Sequence, residues 1–239
     1  MNRVFVSKVW LWPLGAFLVS GFQDVAVAEA YAEKVPWVGE SLQGRVCSSF
    51  PKATQGFTGG GLDYTRYAPS RKKLRLVEEY HFTPKVKNLK GGEHGSTPLE
   101  DLNYTLRAFP NHYEALYSII RYFTEKIDFS EKSPMWKERH IPPECYLQKA
   151  INFRQEDAKL RVLFGIYLHR VGEIEKAREL YKKSVELKSD YAEGYYNLGL
   201  LLTDMGEYQK ARKVARKAYE LGYPLSGLRD RLKDKGYPL

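Results

Sequence analysis

The chain has 239 residues and a net charge of +9, with 43% hydrophobic and 28% charged residues. This balance is typical of a folded, soluble protein and excludes wholesale disorder, which requires low hydrophobicity and dominant charge. The two cysteines exclude a scaffold of several disulfides, a zinc site made only of cysteines, and an iron–sulfur cluster with four thiolate ligands. The length allows one or two domains.

Residues 1–28 have the pattern of a secretory signal peptide. Arg3 and Lys8 precede the uncharged, mostly apolar residues 9–22, and Ala26-Val27-Ala28 supplies small residues before a cleavable bond. The apolar run is shorter than the roughly 20 residues that a transmembrane helix needs. We therefore predict export to the periplasm, with no stable membrane span after cleavage; an uncleaved anchor is the alternative. Because an exported chain rarely meets nucleic acid, the positive charge does not predict a nucleic-acid partner.

Residues 29–96 are predicted to be an irregular N-terminal region with one or two short helices. Glycines and prolines are frequent in residues 44–69, which indicates loop structure. Short helices are predicted over 70–81 and from Pro84 to a point before Gly91.

Residues 97–157 are predicted to hold a helix followed by a helix pair with a long connection. Thr97-Pro98-Leu99-Glu100 is a capping box with proline at the first helical position, and the helix it opens runs to about Ala108. Asn111 is expected to cap the next helix, and the second member of the pair is expected at about 143–155. The intervening residues 127–142 are too many for a tight turn, so they are interpreted as an insertion.

The C-terminal half contains a repeat of 34 residues, which predicts the fold more strongly than any other feature. Four small residues recur at this spacing: Ala158, Gly165, Gly172 and Ala177 as Ala192, Gly199, Gly206 and Ala211. Apolar residues at helical spacing within each copy predict two antiparallel helices. The second helices are expected at 174–187 and 208–221.

Particular residues are expected to begin, end and join these helices. Asp157 and Asp190 are expected to be N-caps. Gly165 and its equivalent in the next copy are expected where a second helix approaches closely. Gly172 and its equivalent are expected to end the first helices in the left-handed conformation that glycine adopts most easily.

The repeat resembles the tetratricopeptide repeat (TPR). The residues that carry the resemblance are, in order, Tyr195, Leu198, Gly199, Leu202, Gly206, Tyr208, Ala211 and Ala218. The resemblance implies an all-α, right-handed TPR-like solenoid of helical hairpins with a partly irregular N-terminal extension. Its units are a degenerate repeat in 97–157, two repeats in 158–191 and 192–225, and a capping helix in 226–239. Segments such as 77–84 and 102–112 also resemble exported bacterial TPR proteins of unassigned activity.

The residue types that carry chemistry do not form a catalytic or metal-binding motif in the sequence. Cys47 and Cys145 could form a disulfide in an oxidising compartment or remain two structural thiols; their spacing does not decide between these. No pair of the five histidines has short metal-ligand spacing, and Cys-x-x-Cys-His and Gly-x-Ser-x-Gly motifs are absent. No cofactor, metal or enzymatic activity is therefore predicted.

The TPR resemblance implies that the first helix of each repeat lines a concave groove. The residues at the lining positions are Glu114, Tyr117, Arg121, Val162, Leu163, Ile166, Arg170, Tyr196, Asn197, Leu200 and Asp204. Asn197 also fits the ordinary repeat pattern, so a purely structural role for it stays open. The groove lacks the Lys/Asn/Arg set of relatives that clamp a carboxylate, which disfavours capture of a peptide C-terminus.

These features predict a non-catalytic scaffold or adaptor of the bacterial cell envelope that binds a protein or peptide. One alternative is an envelope enzyme or ligand-binding protein whose active part lies in 29–96, with the repeats as a recruitment arm. Convergence of Glu78, His81 and His112 in an N-terminal pocket would favour that alternative. Another is a structural subunit of an envelope complex. The sequence does not indicate the oligomeric state.

Overall fold

The computed structural model describes residues 35–50, 61–127 and 131–239, and these residues form an all-α fold. The signal-peptide prediction and part of the glycine-rich segment, residues 51–60, lie outside the described residues. Within the described ranges the extended structure consists of one isolated antiparallel bridge between Glu40 and Val46. No helix among them is long and apolar enough to cross a lipid bilayer.

The helices of the N-terminal half are short and irregularly spaced. They are α1 (Tyr67–Tyr80), α2 (Pro84–Lys87), α3 (Pro98–Ala108), α4 (Tyr113–Arg121), α5 (Pro134–Arg139) and α6 (Pro143–Phe153). A π-helical turn, Tyr122–Lys126, continues α4. The capping box predicted for α3 is present, with Thr97 and Glu100 each bonding the other's backbone amide.

The C-terminal half is a regular succession of helical hairpins. Its helices are α7 (Ala158–Arg170), α8 (Ile174–Leu187), α9 (Ala192–Asp204), α10 (Tyr208–Glu220) and α11 (Gly227–Asp234). The helix α7 packs against α8, and α9 packs against α10, while α8 also contacts α9. The C-terminal half is thus a stack of TPR-like hairpins followed by a short helix.

Small residues allow the hairpins to close. Gly172 and Gly206 follow α7 and α9 with φ of +84° and +75°, a backbone conformation that favours glycine. A Cβ atom added at Gly165 would lie 2.4 Å from the ring of Tyr181 on α8, so this glycine permits the close approach of the two helices. At Gly199 the closest side chain is Leu228 of α11 rather than a residue of α10.

Of the two aspartates predicted to be N-caps, one is confirmed and the other is wrong. Asp157 caps α7 as expected, accepting hydrogen bonds from the amides of Lys159 and Leu160 at 2.9 and 3.2 Å. Asp190 does not cap α9. It pairs with the exposed Lys188, and the N-cap position is held by the next residue, Tyr191, whose side chain makes no capping hydrogen bond.

Asn111 does not cap α4 either. His112 holds that position, with Nδ1 accepting from the Ala115 amide at 3.2 Å. The Asn111 side chain instead accepts from the Tyr64 amide and donates to Asp63.

A strap of residues 35–50 crosses α6. Cys47 forms a disulfide with Cys145, with their Cα atoms 5.5 Å apart. The strap's Leu42 amide donates to the buried Glu144 carboxylate at 2.8 Å, which also accepts from the Tyr167 hydroxyl at 2.8 Å. A covalent bond and a buried polar contact therefore join the N-terminal region to the helix stack.

One hydrophobic core runs through the stack from α2 to α11. Leu116, Leu147, Leu160 and Leu201 are fully buried within it, each from a different helix. Full burial of one such side chain contributes about 1.5–3 kcal/mol relative to its exposure. Leu228 and Leu232 of α11 cover the end of this core, while the rest of that helix is polar and exposed. The α11 helix therefore packs on both helices of the last hairpin and covers its apolar surface.

Candidate partner-binding groove

A cleft of about 550 Å³ runs across α4, α7 and α9. These are the first helices of three successive hairpins, in which they pack on α6, α8 and α10, respectively. We call this cleft the groove. Nine of the residues predicted to line a partner-binding surface line it: Glu114, Tyr117, Arg121, Leu163, Ile166, Arg170, Tyr196, Asn197 and Leu200. These nine side chains therefore lie on one continuous surface, as the repeat pattern predicted.

Two predicted lining residues lie elsewhere. Val162 is fully buried in the core, because α7 packs against α6 as well as α8 and this position faces neighbouring helices. The Asp204 carboxylate is 3.0 Å from Nε2 of His169 and also binds Arg231, so it joins the end of α9 to α7 and α11.

Five tyrosines line the groove, and only two of them were predicted. The set is Tyr113, Tyr117, Tyr181, Tyr196 and Tyr223. Tyr181 belongs to a second helix, and its ring reaches the groove floor through the space beside Gly165. Tyr223 follows α10 and packs on Tyr196, with their ring centroids 4.2 Å apart. The glycine at position 165 was the signal that could have indicated Tyr181.

The N-terminal region also contributes to the groove. Lys87 and Asn88, at the end of α2, line one side of it. Lys87 donates to Glu114 at 2.7 Å, which fixes α2 against α4. A pattern based on the repeats cannot predict these two residues, because they precede the first repeat.

Burial raises the pKa of three of the groove tyrosines. Desolvation raises the pKa of Tyr223 to about 12, and it also raises the pKa of Tyr181. Desolvation is the largest cause of the raised pKa of Tyr113, and the hydrogen bond to Asp157 is the second largest. These side chains offer an apolar ring together with a hydroxyl that can donate a hydrogen bond, a combination common at protein interfaces.

Positive charges are distributed around these rings. Lys159 lies over the Tyr113 ring, with Nζ 4.5 Å from the centroid. Arg170 donates to the Tyr117 hydroxyl at 3.3 Å and to Glu125 Oε1 at 2.7 Å. Arg121 donates to Oε2 of the same Glu125 at 3.0 Å. Burial acts to raise the pKa of Glu125, but the hydrogen bonds from both arginines hold it below its usual value.

A second group of titratable residues lies in the N-terminal region. His112 is fully buried, with Tyr64 and Phe82 packed on its ring, and its Nε2 is 3.4 Å from Oε1 of Glu78. Burial lowers the pKa of His112 to about 4 and raises that of Glu78. His81 does not join them; its Nδ1 is 2.9 Å from Asp101 Oδ1.

The three residues proposed as a marker of enzymatic chemistry therefore only partly converge. The imidazole of His112 is buried and caps α4. Glu78 lines a second cleft of about 520 Å³ together with Tyr64, Thr65, Arg66, Arg71, Leu74 and Arg75. Within the described ranges no group of three or more His, Cys, Asp and Glu residues is arranged to hold a metal ion.

The fold and groove define a helical-hairpin solenoid with a lined cleft across its first helices. Family models described as "TPR repeat" and "Tetratricopeptide repeat" match residues 167–206 and 192–222. Residues 167–222 therefore match tetratricopeptide repeats, a module whose stacked helix pairs form extended binding surfaces.

The chain also matches solved structures, at low sequence identity. Two structures of MamA share 19% and 17% identity, with TM-scores of 0.43 and 0.45. They align with 59% and 70% of this chain and 78% and 84% of their own. A structure of PilF from Pseudomonas aeruginosa shares 15% identity at a TM-score of 0.47, covering 68% of this chain and 65% of its own. A search of curated proteins found no significant match.

Proposed function

We propose that the protein is a non-catalytic, exported scaffold of the bacterial cell envelope that binds a segment of a partner protein in the groove. The observation that carries this proposal is the groove itself, where three successive hairpins present tyrosines, aliphatic side chains and arginines on one surface. Tyrosine and arginine dominate the binding energy of many protein interfaces, because they combine large buried area with directed hydrogen bonds.

The groove is open and spans three successive first helices, which favours a peptide segment over a small molecule. It extends from Lys87 on one side to Leu225 on the other and is open to solvent. Helical and extended segments both bind in such grooves by inserting side chains at regular intervals. Leu163, Ile166 and Leu200 supply the apolar floor for such side chains.

The disulfide between Cys47 and Cys145 supports the envelope part of the proposal. Disulfides persist in oxidising compartments such as the periplasm and are rare in the cytosol. Mass spectrometry of the protein purified from envelope fractions tests export directly. We expect the mature chain to begin at Glu29; an intact Met1 in those fractions would indicate an anchored form, and recovery only from the cytosol would refute export.

Affinity capture from native envelopes tests partner binding. The bait is the full mature chain, compared with Tyr117→Ala in the groove and Tyr104→Ala on α3 as a matched control. Both tyrosines are 38% exposed, but only Tyr117 lines the groove. We expect Tyr117→Ala to lose the partner and Tyr104→Ala to retain it. Equal capture by both variants would refute the groove as the binding surface, and would favour a structural subunit that uses another face.

The second cleft favours one further candidate, in which the N-terminal region, rather than the groove, is the binding part. Its lining includes Arg71 and Arg75 on successive turns of α1, close to Glu78. If this region is the active part, Arg75→Glu will abolish capture while Tyr117→Ala leaves it intact. The scaffold proposal predicts the opposite pattern.

A further inference from the structure

Two arginines share one carboxylate at the edge of the groove. Arg121 is in the last turn of α4 and Arg170 is in the last turn of α7, so they come from two successive hairpins. Arg121 Nε donates to Oε2 of Glu125, and Arg170 Nη1 donates to Oε1 of the same group. Both arginines line the groove, whereas Glu125 does not.

The π-helical turn after α4 carries Glu125 to this position. Such turns interrupt regular helices and occur frequently at functional sites. The same turn carries Thr124, which accepts a further hydrogen bond from Arg170 at 3.2 Å. The Glu125 side chain is 39% exposed, so it can leave the arginines without disrupting the core.

The charges at this site are not balanced. Two guanidinium groups face one carboxylate, and Arg121 uses only Nε of its five N–H donors for a contact with a described residue. Its terminal nitrogens can therefore form a bidentate pair with a partner carboxylate that replaces Glu125 at the groove wall. Tyr117, whose hydroxyl accepts from Arg170, and Ile166 lie alongside in the groove lining.

We propose that Glu125 takes the place of a partner carboxylate in the unbound protein, and that the groove selects partner segments with an acidic side chain at Arg121 and Arg170. This inference rests on the proposed function, because it specifies the chemistry of the segment that the groove binds. The present occupant is itself a side-chain carboxylate that reaches the site from a continuing chain. The geometry therefore fits Asp or Glu within a segment rather than a terminal carboxylate.

The test uses a display library of random 12-residue peptides with blocked C-termini, selected on the full mature chain. Enriched peptides are synthesised with their acidic residue or with the matching amide, and affinities are measured by fluorescence anisotropy. We expect enrichment of one acidic position flanked by apolar residues, and a loss of about tenfold or more when that Glu is replaced by Gln.

Three variants test whether the acidic residue of the peptide binds at Arg121 and Arg170. In the double variant Arg121→Gln and Arg170→Gln, the acidic peptide should bind at least about tenfold more weakly, and its amide form should be unaffected. Glu125→Gln should bind the acidic peptide several-fold more tightly, because it removes the internal competitor. The double variant Lys213→Gln and Arg216→Gln removes the same charge from the outer face of α10 and should change neither affinity. Thermal melts establish that each variant is folded.

The outcomes separate this inference from the proposed function. If no peptide binds the wild-type chain, the proposed function itself fails. If peptides bind and compete with one another in the groove but the Glu and Gln forms bind equally, only the acidic selectivity is refuted. Glu125→Gln with unchanged or weaker binding of the acidic peptide would refute the role of Glu125. A preference for peptides with a free C-terminus over blocked ones would show that a terminal carboxylate is the ligand.

Discussion

The two halves of the molecule are held together by contacts of very different sequence range. In the tandem repeats, each helix packs mainly on its neighbours along the chain, as α7 does on α8 and α9 on α10. In the N-terminal half, the decisive contacts join distant residues: Leu42 to Glu144, and Asp63 to Arg154, which are 102 and 91 positions apart. The first kind of contact recurs with the repeat, and the second does not.

This difference has consequences for stability. A solenoid's stability is close to a sum of its repeats and their interfaces, so a local change has a local cost. Packing of the strap on α6 instead requires closure of a long loop, which costs conformational entropy. A covalent link lowers this cost, because it already constrains the unfolded chain. We therefore expect the largest single effect in the N-terminal half.

Removal of the disulfide tests how far the N-terminal half depends on its long-range contacts. The double variant Cys47→Ser and Cys145→Ser opens a link across 98 positions, and we expect the free energy of unfolding to fall by about 4 kcal/mol. Urea denaturation followed by circular dichroism measures this value, and reduction of the wild-type protein is the control. A loss below about 1 kcal/mol would show that noncovalent contacts alone hold the strap.

The buried His112 makes the N-terminal half sensitive to acid. Its pKa is about 4 in the folded protein against about 6.5 in an unfolded chain, so the unfolded state binds more protons between these values. Stability should therefore be fully present above pH 6.5 and fall by up to about 3 kcal/mol as the pH drops to 4. The raised pKa of Glu78 acts in the opposite direction, since protonation of that group favours the folded state.

The variant His112→Asn separates this effect from general acid sensitivity. Asparagine keeps an oxygen that can cap α4 but does not titrate in this range. We expect unfolding free energies measured from pH 4 to 7 to show a smaller slope in the variant than in the wild type. Equal slopes would mean that other groups cause the pH dependence.

The repeats were predictable because their information is local. The 34-residue spacing predicted the hairpins, and the positions of Gly165 and Gly172 predicted a close helix contact and a helix end. The capping box of α3 was predictable for the same reason, since Thr97 and Glu100 lie within one helical turn. In each of these cases the residue and its partner are close in sequence or related by the repeat.

The remaining features depend on partners that no local pattern contains. Asn111 looks like a helix cap, but Asp63 and the Tyr64 backbone engage its side chain, so His112 takes the cap position. Val162 fits the lining pattern of a first helix, yet its position is covered once α6 packs on α7. The position of Glu125 beside Arg121 and Arg170 depends on a π-helical turn that the helical periodicity does not predict.

Gly165 tests how tightly the repeats are packed. In Gly165→Ala the new Cβ would lie 2.4 Å from the Tyr181 ring, so we expect a loss of about 2 kcal/mol despite alanine's higher helix propensity. Thermal unfolding measures the effect. Combining the change with Tyr181→Ala should remove most of the additional cost. Additive losses in the double variant would show that the ring is not the source of the strain.

The smallest expected effect compares two aspartates at equivalent helix starts. Asp157→Ala removes the cap of α7 and the acceptor of the Tyr113 hydroxyl bond, and we expect a loss of about 1–2 kcal/mol. Asp190→Ala removes only a contact with exposed Lys188 and should change stability by less than about 0.5 kcal/mol. Urea titrations of the two variants side by side measure the difference. Equal losses would mean that Asp190 stabilises α9 after all, and that the two repeats begin their first helices in the same way.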